Sequence, residues 1–278
     1  MPELPELERA RRLADDVAVG RTIRRVNVHR DEIVYEGVSP QRIRRALSGR
    51  TVVAARRHGK QLWFELDRRP WPLFHFGMSG GFHTPAADDL QLTAGPKVDD
   101  DAWPPRFAKL HLYFDDGGEL VMTNARRLGR IRLRTDPASE PPVSALGFDP
   151  LLELPAPARF RALVSERTGT LKGLLLDQSF AAGVGNWIAD EVLYQAGLDP
   201  RRRANTLDID EIERMRRKLG SVVKAAVRVN ADKRRFPRSW LFHRRWGKDS
   251  GAETADGHPI VHITLGGRTT AWVPAKQG

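Results

Sequence analysis

No cysteine occurs among the 278 residues, which excludes a disulfide framework and any metal site built on thiolates, and fits a reducing compartment. No apolar run approaches the roughly 20 residues that a bilayer-spanning helix needs, so a soluble chain without a membrane partner is expected. The opening PELPELE holds three glutamates and nothing like the apolar core of a signal peptide. Acid is in deficit: 35 Asp and Glu stand against 46 Lys and Arg, for a net charge of +11. The deficit is local, because Arg201 to Lys248 alone holds 16 basic and five acidic residues, a net +11. Such a concentration suits phosphate neutralisation with counterion release, the alternative being a solvated basic surface.

Periodicity divides the chain. Leu7, Ala10, Leu13, Ala14 and Val17 recur at helical spacing within 6–19, and Gly20 is a suitable stop. Short β-like runs follow at 22–28, 51–57, 61–66, 72–78, 109–114, 119–123 and 130–134, separated by Gly, Pro and Asp turns. They predict an antiparallel sandwich or barrel. One helix interrupts them, with Ser39 as cap, Pro40 in its first turn and Gly49 past its end. The stretch 136–157, with six prolines, reads as a linker. Beyond it the period is helical in 157–166, 171–178 and 186–196, and in a long helix striped by Ile212, Met215, Leu219, Val222 and Ala226. Two runs, 259–264 and 268–273, bracket Gly266 and Gly267 as a β-hairpin. The expected layout is α+β: an N-terminal antiparallel β-sandwich with an N-terminal helix over 1–135, the linker 136–157, a helical unit over 158–248 and a hairpin over 249–278.

Pro2 carries unusual chemistry if Met1 is removed. Its secondary amine condenses with a sugar aldehyde to an obligatorily cationic iminium, an electron sink that acidifies the neighbouring sugar proton and lets the 3′ phosphate leave. A terminal amine, with a pKa near ~8, is also less basic than lysine. Glu3 and Glu6 put two carboxylates within one turn of it, Glu3 to protonate the deoxyribose ring oxygen and Glu6 to hold the amine. Acids that merely favour the dipole of a helix start are the alternative.

The strings PELPELE, RRHGKQLWFEL, FHFGMSGGF, GVGNWIADEVLY and GGRTTAWVP, in this order and spanning nearly the whole chain, resemble the formamidopyrimidine-DNA glycosylase and endonuclease VIII family. The last string and GNWIADEVLYQA look most like its plant and fungal branch. The resemblance implies an N-terminal β-sandwich, a helix-two-turns-helix module and a C-terminal finger, and it assigns Pro2 as nucleophile, Glu3 as acid and base, Glu6 as orienting carboxylate and Lys60 as an essential turn lysine. Lys60 follows Gly59 between two β-like runs, where a turn projects its ammonium toward a phosphate. Asn186, at a helix start after GVG, suits phosphate binding, and also suits an ordinary N-cap. Lys172 corresponds to a lysine near the damaged nucleotide, and Lys109 and Arg127 are counted as further DNA contacts. Met78, Arg126 and Leu128 are assigned to fill the gap left by an extruded nucleotide. Here the chain departs from the usual Asp-x-Arg-Arg-Phe, with Asn124 for the acid and Leu128 for the aromatic wedge. It departs again in the finger, where His243, His258 and His262 lack the spacing of a zinc site. A zincless finger is implied, with Trp272 and Val273 inward and Arg268 at the tip reaching the DNA.

The expectation is a bifunctional glycosylase and abasic-site lyase that acts on oxidised or ring-opened bases in double-stranded DNA, as a monomer without cofactor or metal, in a bacterial cytoplasm or a eukaryotic nucleus. Two rivals remain open: a nucleic-acid-binding protein without catalysis, and a paralogue that binds damage but has lost base excision.

Overall fold

The structure, a computed structural model, describes residues 1–85, 102–246 and 251–278. It divides into two compact units, 1–145 and 146–278. The division falls inside the expected linker, which is itself structured: a 3-10 turn spans Val143–Ala145, and Phe148 bridges to Ala181. The helical segments and the hairpin, expected as separate, fall in one unit. Their expected boundary at 248/249 lies outside the described residues, as does Lys248.

The first unit opens with helix α1 (Leu4–Ala18), whose stripe of Leu4, Leu7, Ala10, Ala14 and Ala18 is buried. It starts two residues earlier than its periodicity predicts, because Pro5 in the first turn lacks only an N–H that would have no helical partner. Eight strands follow among the described residues: β1 (Ile23–Val28), β2 (Val52–His58), β3 (Gln61–Leu66), β4 (Trp71–His75), β5 (Gly81–His83), β6 (Ala108–Phe114), β7 (Glu119–Thr123) and β8 (Arg130–Arg134). Helix α2 (Pro40–Leu47) lies between β1 and β2, capped by Ser39. Two antiparallel sheets result, in the orders β1-β6-β7-β5 and β2-β3-β4-β8. Their inner faces share one core with α1, and Phe82 of the first sheet meets Phe74 of the second at 5.2 Å between ring centroids. The α+β sandwich is therefore as expected. Strand β4 ends at His75, short of the predicted 78, because Gly77 turns the chain with φ 62°.

The second unit holds α3 (Pro157–Ser165), α4 (Leu171–Leu176), α5 (Asn186–Ala196), α6 (Ile209–Arg228) and the hairpin β9 (Val261–Leu265) and β10 (Arg268–Trp272). Gly197, at φ 67°, ends α5 as a left-handed cap. Asp208 and Glu211 start α6 as a reciprocal capping box, with bonds of 2.8 and 2.9 Å. The predicted stripe from Ile212 to Ala226 is its buried face.

Candidate active site and nucleic-acid interface

Pro2, Glu3 and Glu6 are all buried where the chain enters α1, the two carboxylates only 3% and 4% exposed. Burying acids is costly unless they are bonded. The two acids answer this as a reciprocal capping box: Glu6 accepts the Glu3 backbone N–H at 3.0 Å and the Glu3 carboxylate accepts the Glu6 backbone N–H, which fixes the start of the helix that follows Pro2.

Gly59 and Lys60 form the two-residue turn between β2 and β3, where His58 pairs with Gln61. Gly59 supplies the positive φ, 55°, that such a hairpin turn takes at its first position. Arg57 steadies the turn, since its buried guanidinium donates to the Gly59 carbonyl at 3.1 Å and to the Glu8 carboxylate at 3.2 Å. Glu8 belongs to α1, so one ion pair ties the lysine turn to the helix behind Pro2. Burial would raise the Glu8 carboxyl, but Arg11 and Arg57 outweigh it and hold the pKa below its ordinary value. His75, opposite Gln61 on β4, is pushed down to about 4, first by burial and then by the charge of Lys60. The imidazole is neutral at pH 7, and its Nδ1 accepts the Gly77 N–H at 3.2 Å.

The three residues assigned to void filling come together in the first unit. Arg126 reaches the Met78 sulfur at 3.9 Å, and a side chain at Gly77 would lie 2.4 Å from the Leu128 backbone. Leu128 is 47% exposed, an apolar tip left in solvent. Asn124 staples the two loops: fully buried, it donates to the Phe76 carbonyl at 2.8 Å and accepts the Gly129 N–H at 3.0 Å. Lys109 and Arg127, expected as DNA contacts, both bind Asp31, at 2.9 and 3.0 Å. Burial would raise Asp31, yet hydrogen bonds from Lys109, Arg127 and the Val34 amide bring it down to about 2. Lys109 is mostly buried and serves this cluster, whereas the Arg127 side chain is half exposed.

In the second unit Asn186 opens α5, and its amide donates to the Thr269 carbonyl of β10 at 2.8 Å. Lys172 departs from expectation: it is fully buried, with its ammonium on the Asp190 carboxylate and on the Asn186 carbonyl at 2.9 Å, so it presents no cation to a nucleotide. Lys172 sits on a six-residue helix whose Leu171, Leu174 and Leu175 are also interior. Glu191, next to Asp190, accepts the Phe242 N–H at 2.8 Å, and burial pushes its carboxyl up to about 7. Gly266 and Gly267, at φ 56° and 71°, form a two-residue turn of the primed type, after which Arg268 stands exposed. It makes no ion pair among the described residues. Trp272 and Val273 are buried, as their pattern predicts.

Sequence reasoning missed Arg57, Asp31, His75 and Asp190. Only Arg57 left a trace: beyond the bulge in β2 it shares the inward parity of Ala55.

Comparison with known proteins places this geometry. The Formamidopyrimidine-DNA glycosylase N-terminal domain matches residues 1–131, and the Formamidopyrimidine-DNA glycosylase H2TH domain matches residues 146–237. The formamidopyrimidine-DNA glycosylase of Arabidopsis thaliana is 42% identical over 277 residues, covering all of this chain and 71% of that one. The MutM (Fpg) protein of Thermus thermophilus superposes with a TM-score of 0.77 at 32% identity, covering 100% of this chain and 99% of the other. The Lactococcus lactis Fpg, solved with a DNA containing N7-benzyl-Fapy-dG, gives a TM-score of 0.81 at 25% identity over 99% of each chain. The fold and its helix-two-turns-helix module define a base-excision DNA glycosylase. The chain belongs to the formamidopyrimidine-DNA glycosylase family.

Proposed function

We propose that this chain excises damaged bases from double-stranded DNA and then cleaves the strand, with the Pro2 amine as nucleophile once Met1 has been removed. The observation that carries the reading is the burial of Pro2 beside two carboxylates, which cap the start of α1 reciprocally. The amine attacks C1′ of the damaged nucleotide, the bond from C1′ to the base breaks with the electron pair leaving on the base, and the proton that the amine sheds neutralises the departing base. Glu3 protonates the ring oxygen, so the sugar opens as the C1′–N bond becomes an iminium. That cation acidifies the C2′ proton, and its removal expels the 3′ phosphate by β-elimination. Lys60 serves as a phosphate contact on a turn fixed by Arg57. Met78, Arg126 and Leu128 take the space of the extruded nucleotide. Asn186 and Arg268 act on the phosphates from the second unit, and Arg127 from the first. The Lactococcus protein solved with a Fapy-dG DNA supports a ring-opened purine as substrate.

The test is single-turnover nicking of lesion-bearing and abasic duplexes, with binding measured in parallel. Pro2→Gly is expected to lose nicking on both while binding stays within about two-fold, and Glu3→Gln to lose base excision while retaining part of the abasic-site cleavage, because an abasic sugar already populates the aldehyde. Unchanged nicking by Pro2→Gly contradicts the reading and favours a protein that only binds damage.

A further inference from the structure

We propose that the buried Lys172–Asp190–Arg245 triad is the latch that holds the β9–β10 hairpin on helix α5 and so sets where Arg268 stands. Asp190 is then a positioning residue for DNA binding, an inference that rests on reading Arg268 as a DNA contact. The hairpin is short, two strands of five residues, and among the described residues its apolar anchor is a small cluster of Leu241, Ile260, Ala271 and Val273 with Tyr194 and Ala252 packed against it. A two-stranded ribbon of that size is marginal in water unless something holds it. The sequence has no thiolate with which a metal could clamp it.

Helix α5 covers the open edge of β10. The turn at Gly266 and Gly267 pairs Arg268 with Leu265 and Thr270 with Ile263, which leaves the backbone groups of Thr269 and Ala271 pointing away from β9. One group of each residue is taken by α5: Asn186 Nδ2 donates to the Thr269 carbonyl at 2.8 Å, and Asp190 Oδ2 accepts the Ala271 N–H at 3.2 Å. The spacing matches, since four helical residues advance about 6 Å and two strand residues about 6.6 Å. A slip of β10 by one residue would turn these groups toward β9, so the bonds fix register as well as contact.

The triad makes the carboxylate rigid. Arg245 grips Asp190 Oδ2 through Nη2 at 2.6 Å and Nε at 3.1 Å, while Lys172 binds Oδ1 and also the Asn186 carbonyl. Asp190 is 1% exposed and Lys172 0%, so neither cation can be released without leaving a buried charge.

The test combines hydrogen exchange with binding to a duplex carrying a stable abasic-site analogue, using the full chain with Asp190→Asn, Arg245→Gln and Arg268→Ala, singly and in pairs. Asp190→Asn is expected to speed exchange in 261–272 by about ten-fold or more with 212–227 unchanged. It should weaken binding about ten-fold when Arg268 is present and less than about two-fold in the Arg268→Ala background. Arg245→Gln leaves the Lys172–Asp190 pair neutral, folds even where Asp190→Asn does not, and loosens the hairpin in the same sense by a smaller factor. Unchanged hairpin exchange, equal loss of protection in 212–227, or equal loss of affinity in both backgrounds overturns the latch. No effect of Arg268→Ala on binding instead overturns Arg268 as a DNA contact, and the exchange pattern then decides the latch alone.

Discussion

Arg57 and Glu8 meet at 3.2 Å across 49 positions of sequence, and through this pair the Lys60 turn is fastened to the helix behind Pro2. Removing the guanidinium strands a carboxylate that is 6% exposed, with the neighbouring arginines of its own helix as remaining partners. Arg57→Met is therefore expected to cost about 3 kcal/mol. Denaturant unfolding checks it, and a variant as stable as the parent would show that the pair does not hold the turn.

Asn124 bonds two loops at once, and there is no room for a substitute, because Gly80 and Gly129 approach it so closely that a Cβ on either would lie 2.4 Å from its Nδ2. Asn124→Ala leaves the Phe76 carbonyl and the Gly129 N–H without their side-chain partner, at about 1–3 kcal/mol each. Lesion-strand nicking should fall further than abasic-site nicking, since base extrusion depends on Met78, Arg126 and Leu128 standing together. Equal losses on both substrates would reduce Asn124 to a stability residue.

The fold should erode in two acid stages. His75 titrates near 4 in the protein against 6.5 ordinarily, so the unfolded chain takes the proton first and stability declines as pH falls from about 6.5 to 4. Asp31, held to about 2 against 3.8, contributes stability that is present above its ordinary pKa and lost as pH falls toward 2. Melting temperatures of the parent, His75→Phe and Asp31→Asn between pH 2 and 8 would reveal each stage. A His75→Phe difference that stays constant from pH 4 to 7 contradicts the upper one.

The sandwich, both long helices and the hairpin were legible because apolar residues repeat at the period of the element, as from Ile212 to Ala226 in α6. Strand β5 was not, since three residues carry no period. Among candidate site residues, those with chain-local signals lie where a local reading puts them: Pro2 with its two acids, Lys60 after a turn glycine, Arg268 after two. Lys172 was misread because its fate depends on Asp190, 18 positions away, a pairing that no local pattern encodes. Asn124 likewise looks like a lost acid in sequence and a two-loop staple in space.

Binding to duplex DNA should weaken steeply with salt, each neutralised phosphate adding about −0.9 to the slope of log affinity against log salt. Arg268→Ala should flatten the slope by about 0.9 and leave stability within about 0.5 kcal/mol of the parent, as expected for an exposed turn residue. Titrations at several salt concentrations test this, and an unchanged slope removes Arg268 from the phosphate contacts.

The most direct measurement of the central claim is borohydride trapping on abasic-site DNA, followed by proteolysis and mass mapping of the modified peptide. Reduction of the iminium is expected to leave the sugar remnant on the nitrogen of Pro2, in a peptide that begins at residue 2. An adduct on Lys60 or any other internal lysine, or no adduct under conditions where the strand is cleaved, would contradict it.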